Sequence, residues 1–148
     1  MIRMGLFVLC LGVVACATPA LEPKGEMSTS TEPTALMDSS SIEITAFHEK
    51  RATAALQLVD VRTPQEFAQG HVPGAKNLPL DELLPTHPIM AALSKDEPVY
   101  FVCRSGSRSG VATQQMASAG FRSVNVEGGT LAWIEKGWAV EPAVKPPE

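Results

Sequence analysis

The segment with the clearest capacity for chemistry is a cysteine followed by a short, doubly basic loop. Its residues are Cys103, Arg104, Ser105, Gly106, Ser107 and Arg108. An apolar run over 98–102 precedes the loop, and helical spacing of Val111 and Met116 follows it. A loop between a strand and a helix start directs backbone N–H groups and the positive end of the helix dipole toward its mouth. We therefore expect Cys103 to be a reactive thiolate rather than an inert core thiol.

The cysteine count also favours reactivity at Cys103. The chain contains three cysteines, and Cys10 and Cys16 lie in or next to an N-terminal apolar segment. If that segment is an export signal, Cys103 is the one thiol of the mature folded part, which can form no internal disulfide. A lone thiol in an exported protein indicates reactivity. The alternative, a buried cysteine that acts as a small hydrophobic side chain, fits poorly with the polar loop that follows.

Residues 1–15 are typical of an export signal, because Arg3 precedes an apolar stretch that is too short to span a bilayer. Two interpretations of cleavage stay open. Residues 13–16, Val-Val-Ala-Cys, resemble a bacterial lipobox that would place a lipid on Cys16, whereas residues 15–17, Ala-Cys-Ala, fit ordinary secretion. We favour the lipobox, since a cysteine here has little other use. It predicts a lipid-anchored protein of the cell envelope that faces the periplasm, in the outer membrane where two membranes are present.

Low-complexity segments flank one folded region. Residues 16–41 and 141–148 contain several prolines and offer little to bury, so we predict a disordered tether and a flexible tail. The folded region is then 42–140, and roughly 100 residues suffice for one modest core. The formal net charge of −4 argues against nucleic acid as a partner.

Hydrophobic patterns predict alternating strands and helices in the folded region. Predicted strands cover 41–44, 56–61, 75–80, 98–102 and 121–126, and predicted helices cover 45–54, 64–70, parts of 81–93, 109–119 and 130–136. Thr63, Pro64 and Glu66 have the pattern of a capping box. Strands that alternate with helices imply an α/β fold, a parallel sheet with helices on both faces. Ligands of such sheets bind beyond the carboxyl ends of the strands, where Cys103 falls.

Four motifs follow one another along this region. They are Asp60-Val61-Arg62 with Glu66-Phe67; Gly70-His71-Val72-Pro73-Gly74-Ala75 with Asn77; the segment from Cys103 to Ser109; and Glu127-Gly128-Gly129 with Trp133 and Gly137-Trp138. Together they resemble the signatures of single-domain rhodaneses, which are thiosulfate sulfurtransferase-like proteins. The resemblance covers 42–140. It implies a three-layer sandwich with a five-stranded parallel sheet, and no metal or organic cofactor.

The resemblance also implies a reaction. The Cys103 thiolate would take the outer sulfur of thiosulfate or a related donor, and the resulting persulfide would pass it to cyanide or an acceptor thiol. The residues that would lower the thiol pKa and bind the anionic donor are Arg104, Ser105, Gly106, Ser107 and Arg108. Each arginine could instead be a solvated surface charge.

Residues near the neighbouring strand ends are predicted to support the loop. Asp60, Arg62 and Glu66 are expected to form an ion-pair network beneath it, with support favoured over a catalytic role. Gly128 and Gly129 are expected to form a tight turn beside it.

The remaining histidines and the tryptophans are predicted to be structural. His71 is interpreted as a turn residue with satisfied ring nitrogens, and Trp133 and Trp138 as core or pocket wall. His48 and His87 have no partners at ligand spacing, so no metal site is expected.

Loop length and the number of cysteines argue against phosphatase, arsenate reductase and thiol redox functions. Related phosphatases and arsenate reductases place five residues between cysteine and arginine, whereas four separate Cys103 from Arg108. The shorter loop makes a smaller cradle, suited to a sulfur atom rather than a tetrahedral oxyanion. A thiol redox protein is disfavoured because no resolving cysteine is available. A membrane-tethered persulfide carrier or binding module with little turnover stays open as the alternative to an enzyme.

Overall fold

The structure is a computed structural model that describes residues 39–142. The predicted signal peptide (1–15), the predicted lipidation site Cys16, most of the predicted tether (16–41) and residues 143–148 of the predicted tail lie outside the described residues. Within 39–142, no helix combines the length and the hydrophobicity that crossing a bilayer requires.

Strands and helices alternate through the described part of the chain. The strands are β1 (Ser39–Glu43), β2 (Gln57–Asp60), β3 (Lys76–Asn77), β4 (Val99–Val102) and β5 (Ser123–Glu127). The α-helices are α1 (Ile44–Thr53), α2 (Pro64–Ala68), α3 (Pro88–Ala91), α4 (Ser107–Ser118) and α5 (Gly129–Glu135), and a 3₁₀ turn covers Leu80–Glu82. This order is the one that the hydrophobic pattern predicts.

The five strands form one parallel sheet in the order β1-β5-β4-β2-β3. The central strand β4 pairs with β2 on one side, where Val102 lies opposite Asp60, and with β5 on the other. Parallel pairing brings the carboxyl ends of β2, β4 and β5 to one edge of the sheet, and Cys103 is the first residue after β4. The predicted α/β fold with a five-stranded parallel sheet is confirmed.

Helices cover both faces of the sheet. Successive residues of β4 point to opposite faces, and each face packs against helices to form a core. Phe101 packs in one core with Met116 of α4, and Tyr100 packs in the other with Trp133 of α5 and Phe47 of α1. The rings of Phe47 and Tyr100 have their centroids 5.3 Å apart. Burying a large apolar side chain stabilises a fold by about 1.5–3 kcal/mol. The two cores therefore hold the carboxyl end of β4, and with it Cys103, in place.

The first strand begins earlier than predicted. β1 starts at Ser39, inside the segment predicted to be a tether, and Ser39–Glu43 lie in parallel register with Ser123–Glu127 of β5. Serine has low strand preference, but hydrogen bonds to β5 hold this backbone extended whatever its side chains are. The folded part therefore includes three residues that their composition assigns to the tether.

The other boundaries differ where proline or pairing intervenes. β3 covers Lys76–Asn77 rather than 75–80, because Pro79 interrupts the strand and the 3₁₀ turn follows. At the C-terminal end, Glu141 exchanges two backbone hydrogen bonds of 3.0 and 2.9 Å with His71. The first residue of the predicted tail is thus attached to the domain.

Candidate active site

The loop between β4 and α4 forms a tight cradle around Cys103. Cys103 follows the last residue of β4, and α4 begins at Ser107, with Gly106 as its N-cap at φ +108°. That φ lies in the region that glycine adopts without steric penalty. The turn places the N-terminus of α4 against the thiol, and Cys103 is only 1% exposed.

Two donors approach the sulfur of Cys103. The backbone N–H of Gly106 donates a hydrogen bond to Sγ over 3.1 Å, and the Ser109 hydroxyl donates to it over 3.3 Å. The same hydroxyl lies 3.2 Å from the carbonyl oxygen of Gly106. A hydroxyl has one hydrogen, and a thiolate is a stronger acceptor than a neutral carbonyl. Ionisation of Cys103 therefore draws the Ser109 hydrogen to sulfur.

The environment of Cys103 favours the thiolate. Burial is the largest single influence on its pKa and raises it, but the hydrogen bonds from Ser109, Gly106 and Ser105 together outweigh burial. The pKa of Cys103 consequently lies below its usual value. A larger thiolate fraction at neutral pH makes this cysteine a better nucleophile than an ordinary buried thiol.

The start of α5 holds the loop from behind. The backbone N–H and the hydroxyl of Thr130 both donate to the carbonyl oxygen of Cys103, over 2.8 and 3.1 Å, and the N–H of Leu131 donates to that of Arg104 over 2.9 Å. Gly129 has φ +57°, and a Cβ atom there would overlap the Cys103 carbonyl. The predicted tight turn at Gly128 and Gly129 is confirmed, and its reason is close backbone packing.

Arg108 is engaged by Glu66 rather than left open to a ligand. Its two terminal nitrogens each donate to one carboxylate oxygen of Glu66 over 2.7 Å. The hydrogen bond from Arg108 is the main reason that the pKa of Glu66 falls to about 2. Its position in the loop groups Arg108 with the predicted anion-binding residues, but on the first turn of α4 its side chain contacts Glu66 of α2.

The predicted ion-pair network divides into two separate pairs. Glu66 belongs with Arg108, and its carboxylate also completes the predicted capping box of α2 by accepting from the Thr63 N–H over 3.2 Å. Asp60 pairs with Arg62, both buried, in a salt bridge of 2.7 Å. Removing one partner of such a buried pair typically costs about 3–5 kcal/mol, so this pair supports the turn after β2.

The polar residues at the loop rim have free side chains. Arg104, Ser105 and Ser107 are exposed. Within residues 39–142, none of their side chains makes a hydrogen bond or a salt bridge. The hydroxyl that contacts sulfur belongs to Ser109, which the sequence did not single out. Its spacing of three, four and seven residues from buried Ala112, Thr113 and Met116 is the signal that could have found it.

The residues predicted to be structural make packing and hydrogen-bond contacts within the domain. The His71 ring stacks on Phe67 with centroids 3.6 Å apart, and its Nδ1 lies 3.2 Å from the Phe67 carbonyl oxygen. Trp133 is buried in the core, and Trp138 stacks on His48 with centroids 3.9 Å apart. Their predicted structural roles agree with these contacts.

Comparisons with known proteins agree with this geometry. The family model described as "Rhodanese-like domain" matches residues 43–136. A protein named "Sulfurtransferase" from Allochromatium vinosum is 42% identical over 86 residues, which are 57% of this chain and 78% of that protein. "Thiosulfate sulfurtransferase 16, chloroplastic" from Arabidopsis thaliana is 33% identical over 108 residues, covering 66% of this chain and 89% of that protein.

A solved structure shares the fold as well. The crystal structure of a rhodanese-like domain protein from Staphylococcus aureus superposes with a TM-score of 0.61 at 34% identity, over 71% of this chain and 99% of that one. The family model, which matches residues 43–136, includes the loop that carries the thiol. This chain therefore belongs to the rhodanese-like family of sulfurtransferases.

Proposed function

We propose that the protein is a thiosulfate sulfurtransferase in which Cys103 is the nucleophile. The thiolate attacks the outer sulfur of thiosulfate, an S–S bond forms to Cys103, and the S–S bond of thiosulfate breaks. Sulfite leaves with the electron pair, and Cys103 becomes an anionic persulfide. An acceptor thiolate or cyanide then attacks the outer sulfur of the persulfide, which restores the Cys103 thiolate.

The observation that carries this proposal is the pair of donors at Cys103 Sγ. The Gly106 N–H and the Ser109 hydroxyl stabilise negative charge on sulfur, and the N-terminus of α4 adds positive potential at the same point. In the second step, the acceptor takes the outer sulfur of the persulfide, and the Cys103 sulfur is the leaving group, released as a thiolate. The same donors therefore assist both half-reactions, since they stabilise the charge that sulfur carries before and after transfer.

The donor anion needs a cation that is not already neutralised. Arg104 is exposed and makes no salt bridge with any residue in 39–142, whereas Arg108 is paired with Glu66. We assign thiosulfate binding to Arg104 and give Arg108 a supporting role in fixing the first turn of α4 against α2. The Arabidopsis relative is named a thiosulfate sulfurtransferase, which supports thiosulfate as the first donor to test.

A persulfide carrier is the second candidate, because the same cradle would hold a persulfide without rapid turnover. A carrier would load one sulfur per chain and discharge it only to its partner. An enzyme would turn over repeatedly with small acceptors. Steady-state thiocyanate production from thiosulfate and cyanide therefore separates the two.

The proposal is tested by loading the full-length protein with thiosulfate and measuring its intact mass without reductant. We expect a gain of one sulfur atom that added cyanide removes. Cys103→Ser should show no gain and no thiocyanate production while keeping the native circular dichroism spectrum.

Ser118→Ala is the matched control, since Ser118 is the last residue of α4 and its hydroxyl donates to the Gln114 carbonyl oxygen. It should load and discharge like the wild type. A wild-type protein that gains no mass would refute sulfur transfer from thiosulfate, and a Cys103→Ser variant that still turns over would refute the nucleophile assignment.

A further inference from the structure

We infer that the sulfur acceptor is a peptide or protein thiol that carries an aliphatic side chain and a carboxylate next to its cysteine. This inference rests on the proposed sulfur transfer and names the acceptor class for the same site. It is carried by a cleft beside the loop, which we call the Arg104 cleft. Its volume is about 290 Å³, and the residues that matter here are Arg104, Thr130, Leu131 and Ile134.

Residues in the wall of the Arg104 cleft are hydrogen-bonded directly to the backbone of the proposed nucleophile and of the residue after it. Thr130, in its wall, donates two hydrogen bonds to the Cys103 carbonyl, and Leu131 donates its N–H to the Arg104 carbonyl. The cleft therefore begins within one residue of Cys103. A molecule held there is close to the loop through which the buried thiol must be approached.

The charge of the cleft comes from Arg104. Arg62 and Glu66 also line it, but Arg62 is neutralised by buried Asp60 and Glu66 by Arg108. Arg104 has no such partner among residues 39–142. When sulfite leaves after the first half-reaction, this cation becomes available again. A carboxylate on the acceptor fits it, since guanidinium and carboxylate match in charge and geometry.

The cleft has more exposed aliphatic surface than a small acceptor can contact. Leu131 is 42% exposed and Ile134 is 54% exposed. At positions i and i+3 of α5 they share one helix face, on the wall next to Arg104. Cyanide cannot contact two aliphatic side chains while it attacks the persulfide. A thiol on a peptide can, because a neighbouring Leu or Val side chain covers them and gains free energy from burial.

The test measures single-turnover discharge of the full-length protein after loading with thiosulfate, so donor binding does not enter the rate. Three short peptides serve as acceptors: one has Cys flanked by Leu and Asp, one has Ser in place of Leu, and one has Asn in place of Asp. Cyanide is the small reference acceptor. For the wild type we expect the Leu–Asp peptide to react about tenfold faster than either altered peptide, as one contact of ordinary strength predicts.

Variants assign the preference to the cleft. Replacing Leu131 and Ile134 together by Gln should lower the ratio of the Leu–Asp peptide rate to the cyanide rate about tenfold and remove the preference for Leu over Ser. Arg104→Gln should remove the preference for Asp over Asn. Val111→Gln is the matched control, because Val111 is 54% exposed on α4 and does not line the cleft. Its rates should equal those of the wild type.

The possible failures are distinguishable. A wild type that gains no sulfur from thiosulfate refutes the proposed function, and the acceptor inference falls with it. A protein that loads and discharges to cyanide, but reacts equally with all three peptides, refutes the acceptor inference alone. An equal loss of preference in Val111→Gln also refutes it, since the effect would then not belong to the cleft.

Discussion

At the scale of single residues, the site depends on what surrounds one sulfur atom. Burial alone would raise the pKa of Cys103 and make it inert, yet hydrogen-bond donors of Ser109, Gly106 and Ser105 reverse the direction. Ser109 is the side chain among them, and it lies on the buried face of α4. The reactivity of the thiol is therefore a property of a helix that begins at the right place, as much as of the cysteine.

Ser109→Ala should raise the pKa of the Cys103 thiol, because it removes a hydroxyl that donates a hydrogen bond to the sulfur and stabilises the thiolate. At a pH below the pKa, a higher pKa leaves a smaller fraction of Cys103 as thiolate. Alkylation by iodoacetamide at pH 7 should therefore slow up to about tenfold. The pH dependence of the alkylation rate measures this shift directly.

Ser118→Ala is the control for Ser109→Ala. It removes a hydroxyl from the same helix, one that donates to Gln114 far from the sulfur. Its alkylation profile should match the wild type. Superposable pH profiles for Ser109→Ala and the wild type would show that the hydroxyl does not act on the thiolate.

At the scale of secondary-structure elements, the loop is held between α4 and the start of α5. The glycine that permits this contact is Gly129, since a Cβ atom there would overlap the Cys103 carbonyl and lie 2.6 Å from the Arg104 carbonyl carbon. The close approach lets Thr130 and Leu131 donate to the loop. Hydrogen bonds therefore join the loop to the start of α5, and the backbone of Cys103 is fixed by that contact.

Gly129→Ala should destabilise the fold by at least about 2 kcal/mol, because it adds backbone strain at positive φ to a steric overlap with the loop. It should also lower thiosulfate loading, since the loop must shift. Urea unfolding and the intact-mass assay measure the two effects.

Gly137→Ala separates strain from overlap. Gly137 has φ +71°, but nothing lies within 4 Å of the position that a Cβ atom would occupy. This variant therefore adds backbone strain without a steric overlap. We expect a loss of about 1 kcal/mol and normal loading. Equal losses of stability in the two variants would mean that contact with the loop is unimportant.

At the scale of the whole molecule, the described domain follows an N-terminal segment, 1–15, whose residue pattern predicts an export signal. The folded part has the loop that carries Cys103 at the carboxyl edge of the sheet. We propose that a lipid on Cys16 anchors the protein in the cell envelope with the domain facing the periplasm. An anchored domain would stay near membrane-associated sulfur donors and acceptors.

Cys16→Ala should release the protein from the membrane fraction when the full-length chain is expressed in a bacterium that processes lipoproteins. The reason is that a stable anchor requires the acyl chains that only this cysteine can receive. Immunoblots of membrane and soluble fractions measure the distribution. Cys10→Ala is the control and should stay with the membrane, because Leu9 before it is too large for a lipobox. A Cys16→Ala protein found wholly in the membrane would contradict the anchor.

The order of elements and the family were readable from the sequence because both depend on local patterns. The capping box of α2 requires Thr63, Pro64 and Glu66 at fixed spacing, and the structure has it. The alternation of strands with helices predicted the parallel sheet, and the sheet placed Cys103 at its carboxyl edge. The loop motif from Cys103 to Arg108 identified the nucleophile candidate without any coordinates.

The tertiary structure decided which charged and polar groups meet. Loop position suggested that Arg108 binds an anion, but contact between α4 and α2 gives its guanidinium to Glu66. The strand character of Ser39 comes from pairing with β5, which no local preference of serine reveals. The hydroxyl beside sulfur and the cleft beside Arg104 arise in the same way. Spacing in sequence determines what one element contains, whereas contacts between elements depend on how the two cores pack, and that is settled only in three dimensions.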